Sequence, residues 1–250
     1  MSILSTAVKS DNIIRLVRKG GFMDKIANVV KLFIGRYASL YHYTDIQNLE
    51  SIQSSNTLIS CNSVDPNLSK DRRSKPIETI YNEKTFIAND QLEIVNSMFA
   101  DGITPHDFRK FLDRHVFFWL NKGDCLSMFG SYKRRIPQKK AAIIVFNAQT
   151  ILSACWDSTK FCKYNSGSSP QNPSSCTYKK NFDIFLPANC LGTNRCPHVP
   201  TKVSEIKEVL VESKVMNLSD HVEKVFTESV DQIPRDWQDY YCPISNFGEV

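Results

Sequence analysis

Ala141-Ala142-Ile143-Ile144-Val145-Phe146 is the longest uninterrupted apolar run in the chain. Its continuous apolar character predicts a strand buried on both faces, which belongs in the middle of a sheet. Asn147, directly behind it, can cap a short helix reaching Ala154. The run is far too short to cross a bilayer as a helix, which takes roughly 20 residues, so no membrane-spanning segment is expected.

Working outward, Val116 to Leu120 reads as a second strand, with Lys122, Gly123 and Asp124 as turn residues behind it. Leu40 to Thr44 is a third, rich in aromatics, and Thr44 with Gln47 makes a capping-box pattern opening a helix through Ile46, Leu49 and Ile52. Asp90 with Glu93 repeats that pattern ahead of Leu92, Val95, Met98 and Phe99. A further helix starts at Thr104, where Pro105 suits the first turn and Phe108, Phe111 and Leu112 share a face. Downstream, strand signals return at Phe182 to Leu186 and at Ile206 to Val211, and Ser219 can cap a helix through Val222, Val225 and Phe226. Ser60 to Arg73 and residues 164 to 181 read as long polar loops, which in compact domains often carry function.

Ahead of the first strand, Asp11 can cap a short helix with Ile13, Leu16 and Val17 on one face, ending at Gly20 and Gly21. Ile26, Val29, Val30 and Phe33 then fall at helical spacing. Residues 1–36 are therefore expected as amphipathic helices packed on a core of residues 37–250, with no linker between them. Helices precede, interrupt and follow the strands without regular alternation, so the fold class is α+β. The lack of a G-x-G-x-x-G and of a Walker A pattern argues against a Rossmann domain and a P-loop NTPase.

With 250 residues, 42% hydrophobic and 23% charged, the chain can bury a sizeable core, which admits an enzyme. The eight cysteines are dispersed, none as C-x-x-C, and the N-terminus lacks the pattern of a secretory signal, so reduced thiols and a cytoplasmic location are expected. Cys190, Cys196 and His198, with Cys176 upstream, are irregularly spaced for a zinc site, so buried or loop thiols are the plainer reading and no metal is expected. The net charge is +5, and Lys133, Arg134, Arg135, Lys139 and Lys140 crowd together. Such a run can meet a phosphate backbone or be an ordinary solvated face.

Three segments carry groups with chemistry to offer. In Tyr41-His42-Tyr43-Thr44, strand geometry puts His42 and Thr44 on one face and the tyrosines on the other; taken alone, His42 reads first as a half-buried histidine satisfied by backbone. In His115-Val116-Phe117-Phe118-Trp119, Phe117 and Trp119 alternate away from Phe118, so one face can offer a flat ring to a ligand or simply pack a core. In Glu205-Ile206-Lys207-Glu208-Val209-Leu210-Val211, Glu208 shares a face with Ile206 and Leu210; facing inward it needs a partner or a ligand, and facing solvent it is unremarkable.

In order along the chain, these segments resemble the DarT-like ADP-ribosyltransferase toxins. Tyr41 to Thr44 with Asn48 to Ile52 is similar to the family's opening strand and helix, Val116 to Asn121 with Met128-Phe129 to its aromatic segment, and Lys207 to Val211 to the late strand bearing its catalytic glutamate. The chain also resembles an uncharacterised bacterial domain family through His115 to Trp119 and Asn165 to Gly167. The resemblance implies a split mixed β-sheet core with flanking helices, and transfer of ADP-ribose from NAD+ as co-substrate. It implies Glu208 as the catalytic carboxylate, stabilising positive charge as carboxylates do in glycosidic cleavage. Arg73, or Arg72 if the register differs by one, would clamp the pyrophosphate. His42 and Thr44 would hold a ribose or the nicotinamide amide, Trp119 or Tyr43 would pack against nicotinamide, and Asn165 and Ser166 would add polar contacts. Lys133, Arg134, Arg135 and Lys139 would meet a DNA or RNA acceptor. A toxin of a toxin–antitoxin or phage-defence system, with an antitoxin protein as partner, is the role implied.

Two departures stand out. Trp119 occupies a place where the toxins usually have tyrosine, and Lys122-Gly123-Asp124 lacks the family's proline and arginine, so residues 122 to 140 transfer least well. Against the transferase stand a cysteine hydrolase, a non-enzymatic nucleic-acid-binding or antitoxin-like module, and a transferase acting on protein.

Overall fold

The structure, a computed structural model, describes residues 28–193 and 196–248. The expected helix from Asp11 to Gly21 lies outside the described residues. Residues 28–34 form helix α1, which buries Val30 and Phe33 and leaves Leu32 exposed.

Strand β1 (Ser39–Asp45) leads into helix α2 (Asn48–Ser55), strand β2 (Thr57–Ile59) and the single turn α3 (Cys61–Val64). A hairpin of β3 (Ile77–Tyr81) and β4 (Lys84–Ala88) follows, then helix α4 (Pro105–Asp113), β5 (His115–Trp119) and helix α5 (Lys122–Arg135). Next come β6 (Ala141–Asn147), helix α6 (Ala148–Cys155), β7 (Thr159–Cys162) and the two-residue β8 (Leu186–Pro187). The chain closes with β9 (Glu208–Glu212), β10 (Lys214–Met216), β11 (Val222–Thr227) and β12 (Tyr241–Pro243).

Eight of these strands make one mixed sheet in the order β12-β11-β6-β1-β5-β9-β7-β8, antiparallel except for the β11/β12 edge pair. With helices on it, this is an α+β fold. The apolar run 141–146 is buried throughout, as a strand covered on both faces must be. Ala142, Ile144 and Phe146 enter one core with Leu40, Phe118, Val209 and Val225, while Ala141, Ile143 and Val145 meet Tyr43, Tyr132, Phe226 and Phe247 across the other face. Asn147 caps α6 by accepting from the Thr150 amide at 3.2 Å, and Thr104 caps α4 by accepting from Asp107 at 3.0 Å.

Several expectations are corrected. Residues 90–99 are extended with one 3₁₀ turn (Asn96–Met98), not helical, because Asp90 is buried and held by Arg135 and Tyr132. Residues 122–135 are a helix, not a turn: Asn121 caps it by accepting from the Gly123 amide at 2.7 Å, and Cys125, Phe129 and Tyr132 pack on the sheet. Val222 to Phe226 is a strand. A bulge between Val222 and Lys224 interrupts its alternation, so the apolar residues fall at 222, 225 and 226 and imitate helical spacing. Phe182–Ile184 is a 3₁₀ turn ahead of β8. The Thr44/Gln47 capping box does not form; Thr44 Oγ1 accepts instead from Asn48 Nδ2 at 3.0 Å. Asn48 in turn pairs its amide with both backbone groups of Ile87, at 2.7 and 3.0 Å, and so docks the β3/β4 hairpin on α2.

Candidate active site

The sheet contains a seam. β1 runs in full register with β6, yet it shares with β5 the single pair Tyr41/Trp119, after which the two strands part. The Phe117 carbonyl, which points across the gap, accepts instead from His42 Nδ1–H at 2.8 Å. That bond fixes the tautomer and leaves Nε2 as an acceptor. Burial pushes the His42 pKa down to about 4, so the ring is neutral at ordinary pH.

An open cleft lies along this seam. It gathers His42, Tyr43 and Thr44 from β1, Phe117 and Trp119 from β5, Asn165 and Gly167 from the polar loop, and Glu208 from β9. Arg73, Arg109 and Asp113 line it as well. The cleft therefore brings together His42, Tyr43, Thr44, Arg73, Trp119, Asn165 and Glu208, whereas Arg72 is exposed and Ser166 sits behind the wall, fully buried.

Glu208 opens β9, opposite Trp119 of β5 and Cys162 of β7. It shares its face with Leu210 but not with Ile206, which precedes the strand and packs with Val209 and Val211 beneath the sheet. Only 4% exposed, its carboxylate accepts from the Ser166 amide at 3.1 Å on both oxygens and from Ser166 Oγ at 2.6 Å. Burial raises its pKa to about 7, against the lowering effect of the Ser166 bonds and of the Lys180 charge. A buried carboxylate met only by neutral donors keeps part of its electrostatic demand unmet, which suits it to stabilise a positive charge brought to it.

The Arg73 guanidinium is committed within the fold. It makes a bidentate pair with Asp113 at 2.6 and 2.7 Å and donates to the carbonyls of Leu68 at 2.7 Å and Asn89 at 2.9 Å, with Cys61 Sγ at 3.9 Å as its weakest contact. Sequence reasoning passed over Arg109, which is half-exposed on α4, lines the cleft and lies near enough to Arg72 for that charge to add to desolvation in lowering its pKa. Its signal was a basic residue on the flank of the apolar stripe of α4, one turn before Leu112, which also lines the cleft.

The basic run divides. Lys133 and Arg134 are exposed near the end of α5. Arg135 pairs with Asp90 and lies over the Tyr132 ring at 4.6 Å. The Lys139 side chain is buried, donating to Asn89 Oδ1 at 2.6 Å with Asp45 Oδ2 at 3.5 Å, which removes it from any exposed surface for phosphates. Among the described residues no group of three or more His, Cys, Asp or Glu side chains converges on a metal-sized site, and no disulfide joins the cysteines. None of their helices is long and apolar enough to cross a membrane.

A family described as of unknown function, DUF7002, matches residues 38–222. The chain belongs to the DUF7002 family. No curated protein matches this DUF7002 chain. Among solved structures it is similar to Thermus sp. 2.9 DarT in complex with carba-NAD+, at 13% identity and a TM-score of 0.43 over 85% of this chain and 98% of that one. The same protein in complex with NAD+ gives 14% and 0.41 over 85% and 98%, and in complex with ADP-ribosylated ssDNA 13% and 0.42 over 85% and 96%.

Proposed function

We propose that this DUF7002 chain is an ADP-ribosyltransferase that takes NAD+ in the seam cleft and passes its ADP-ribose to a nucleic-acid acceptor. The observation that carries the reading is Glu208, a buried carboxylate gripped by neutral donors and facing an aromatic-lined cleft at a split in the sheet. The cleft is open to solvent, so a dinucleotide would lie partly along its mouth. When the bond between ribose C1′ and nicotinamide breaks, its electron pair leaves with the nicotinamide and positive charge develops on the sugar. Glu208 lies where a carboxylate can stabilise that charge, and the acceptor's nucleophile then closes the new bond and gives up a proton.

The other residues follow from their surroundings. His42, neutral and fixed by Phe117, presents an acceptor to a hydroxyl or amide; Trp119 and Tyr43 supply flat faces. Arg109, rather than the committed Arg73, is assigned to the pyrophosphate, with Arg72 beside it. Lys133 and Arg134 would meet the acceptor strand. They lie about 17 Å along α5 from its start beside Trp119, at about 1.5 Å per residue, a span of a few nucleotides. An antitoxin protein is assigned to the restraint of the enzyme.

Incubating the full chain with NAD+ labelled in the adenylate moiety, and with single-stranded DNA, RNA or bulk protein, tests this directly. Nicotinamide release together with labelled nucleic acid is the expected result. Absence of nicotinamide release under every condition overturns the assignment, and label on protein alone overturns the acceptor.

A further inference from the structure

Lys180 is fully buried, in a loop rich in Ser, Asn and Pro where a lysine would ordinarily reach solvent. Its ammonium donates to the carbonyl of Asn165 at 3.1 Å and to that of Ser166 at 2.8 Å, and lies 5.9 Å from the Phe108 ring centroid. The Asn165 carbonyl and the Ser166 amide are the two ends of one peptide group. That peptide takes a cation at its oxygen and gives its N–H to both oxygens of Glu208. The backbone of Lys180 is pinned as well: its amide donates to Met98 at 2.7 Å, and its carbonyl accepts from Ala100 at 3.1 Å. The loop between is braced by Tyr164 stacked on Tyr178, with ring centroids 3.6 Å apart.

We propose that Lys180 is a positioning residue for Glu208, acting through the Asn165–Ser166 peptide: its buried charge polarises that peptide and fixes the Ser166 N–H and hydroxyl on the carboxylate. Burying an ammonium is costly without compensation, and here the compensation lies in the group that holds Glu208. Hydrogen bonds in series strengthen one another, so a cation at one end stabilises an anion at the other. The charged and titratable groups facing this pair are Asp124 of α5, which opposes ionisation of Glu208, Cys162 of β7, and Cys176 beside the lysine. Burial lowers the Lys180 pKa to about 8 while the Glu208 charge supports it, so the cation persists through neutral pH.

This inference rests on the proposed role of Glu208 but is tested independently of it. In full-length chain with carbon-13 in the glutamate carboxyls, the Glu208 signal, assigned by its loss in Glu208→Gln, is titrated in wild type, Lys180→Met and Lys180→Gln. Removing the cation should move the Glu208 midpoint upward by about one pH unit or more. If nicotinamide is released, kcat should fall at least tenfold, KM for NAD+ should stay within about twofold, and the rise of activity with pH should move by the same amount as the carboxyl midpoint. An unchanged midpoint in either folded variant overturns the proposal. Should neither variant fold, the wild-type chain decides: the Ser166 amide nitrogen signal must shift as Lys180 deprotonates near pH 8, and an amide indifferent to that step overturns it. A moved midpoint in a chain that releases no nicotinamide would leave the relay standing and defeat only the enzymatic reading.

Discussion

Arg73 with Asp113 and Glu208 with Ser166 lie at the same cleft, yet the first pair balances opposite charges and the second leaves one negative charge to neutral donors. Arg73 spends its donors on Asp113 and on two carbonyls, so it has little left for a ligand. Glu208 receives an amide and a hydroxyl, and its nearest cation, Lys180, acts on it across a peptide. A charge fully satisfied by the protein belongs to the fold, whereas one left partly unsatisfied is available to a ligand. On the proposed reading, that difference gives Arg73 to the fold and Glu208 to the chemistry, although both read from the sequence as site residues.

The largest expected effect is on stability. Arg73→Ala or Asp113→Ala strands the surviving charge and should cost about 3–5 kcal/mol in denaturant unfolding. Wild-type stability in Arg73→Ala would erase the contrast and return the arginine to the ligand. Next in size, Glu208→Gln should reduce nicotinamide release by about 10²–10³-fold, while its stability at pH 7 stays within about 1 kcal/mol of wild type. Full turnover in a folded Glu208→Gln variant would move the chemistry elsewhere in the cleft.

The pH dependence of stability sharpens the comparison. Glu208 holds its proton in the folded state up to about 7, whereas the unfolded chain releases it in the ordinary carboxylate range. The folded state therefore binds more protons between those values, and the contribution of Glu208 to stability falls as pH rises through that window and levels off above 7. Wild type should lose about 1–3 kcal/mol relative to Glu208→Gln between pH 5 and pH 8, as read from paired urea melts. Parallel melts would show that burial does not penalise the carboxylate. Nicotinamide release should follow the opposite course, climbing to a plateau above pH 7 as Glu208 ionises. The smallest effect concerns the acceptor. Replacing Lys133 and Arg134 with alanine should lower the salt slope of nucleic-acid labelling by about 1–2 and leave NAD+ affinity unchanged. An unaltered slope would place the acceptor on another face.

The features legible in the sequence were those whose cause is local. A six-residue apolar run announces a central strand, and Asn147 and Thr104 announce helix starts, whereas Glu208 stayed open between an inward and a solvent-facing carboxylate because its strand was read as beginning at Ile206. The features missed depend on partners far along the chain. Asp113 meets Arg73 across 40 positions, and nothing near Lys180 signals that it will be buried against residues 165 and 166. The bulge in β11 turned a strand pattern into a helical one. Asn82 and Glu83, both at positive φ, close the β3/β4 hairpin without the glycine that usually marks such a turn. Lys139 looked like surface because charge is read one residue at a time, while its burial follows from Asp45 and Asn89 arriving from elsewhere.

The His42 bond to Phe117 bears on the mechanics of the sheet. The seam divides it into two slabs, β12-β11-β6-β1 and β5-β9-β7-β8, each laddered within itself. A tensile load on the sheet meets its weakest line there, where one strand pair and one imidazole stand in for a ladder. Separating the slabs by the thickness of an aromatic ring breaks few bonds and leaves the backbone pairing within each slab intact. On the proposed reading, a flat guest would lie along that line, where the sheet has the fewest backbone bonds to lose, while Leu40, Phe118 and Phe146 hold the two slabs together from the core beneath.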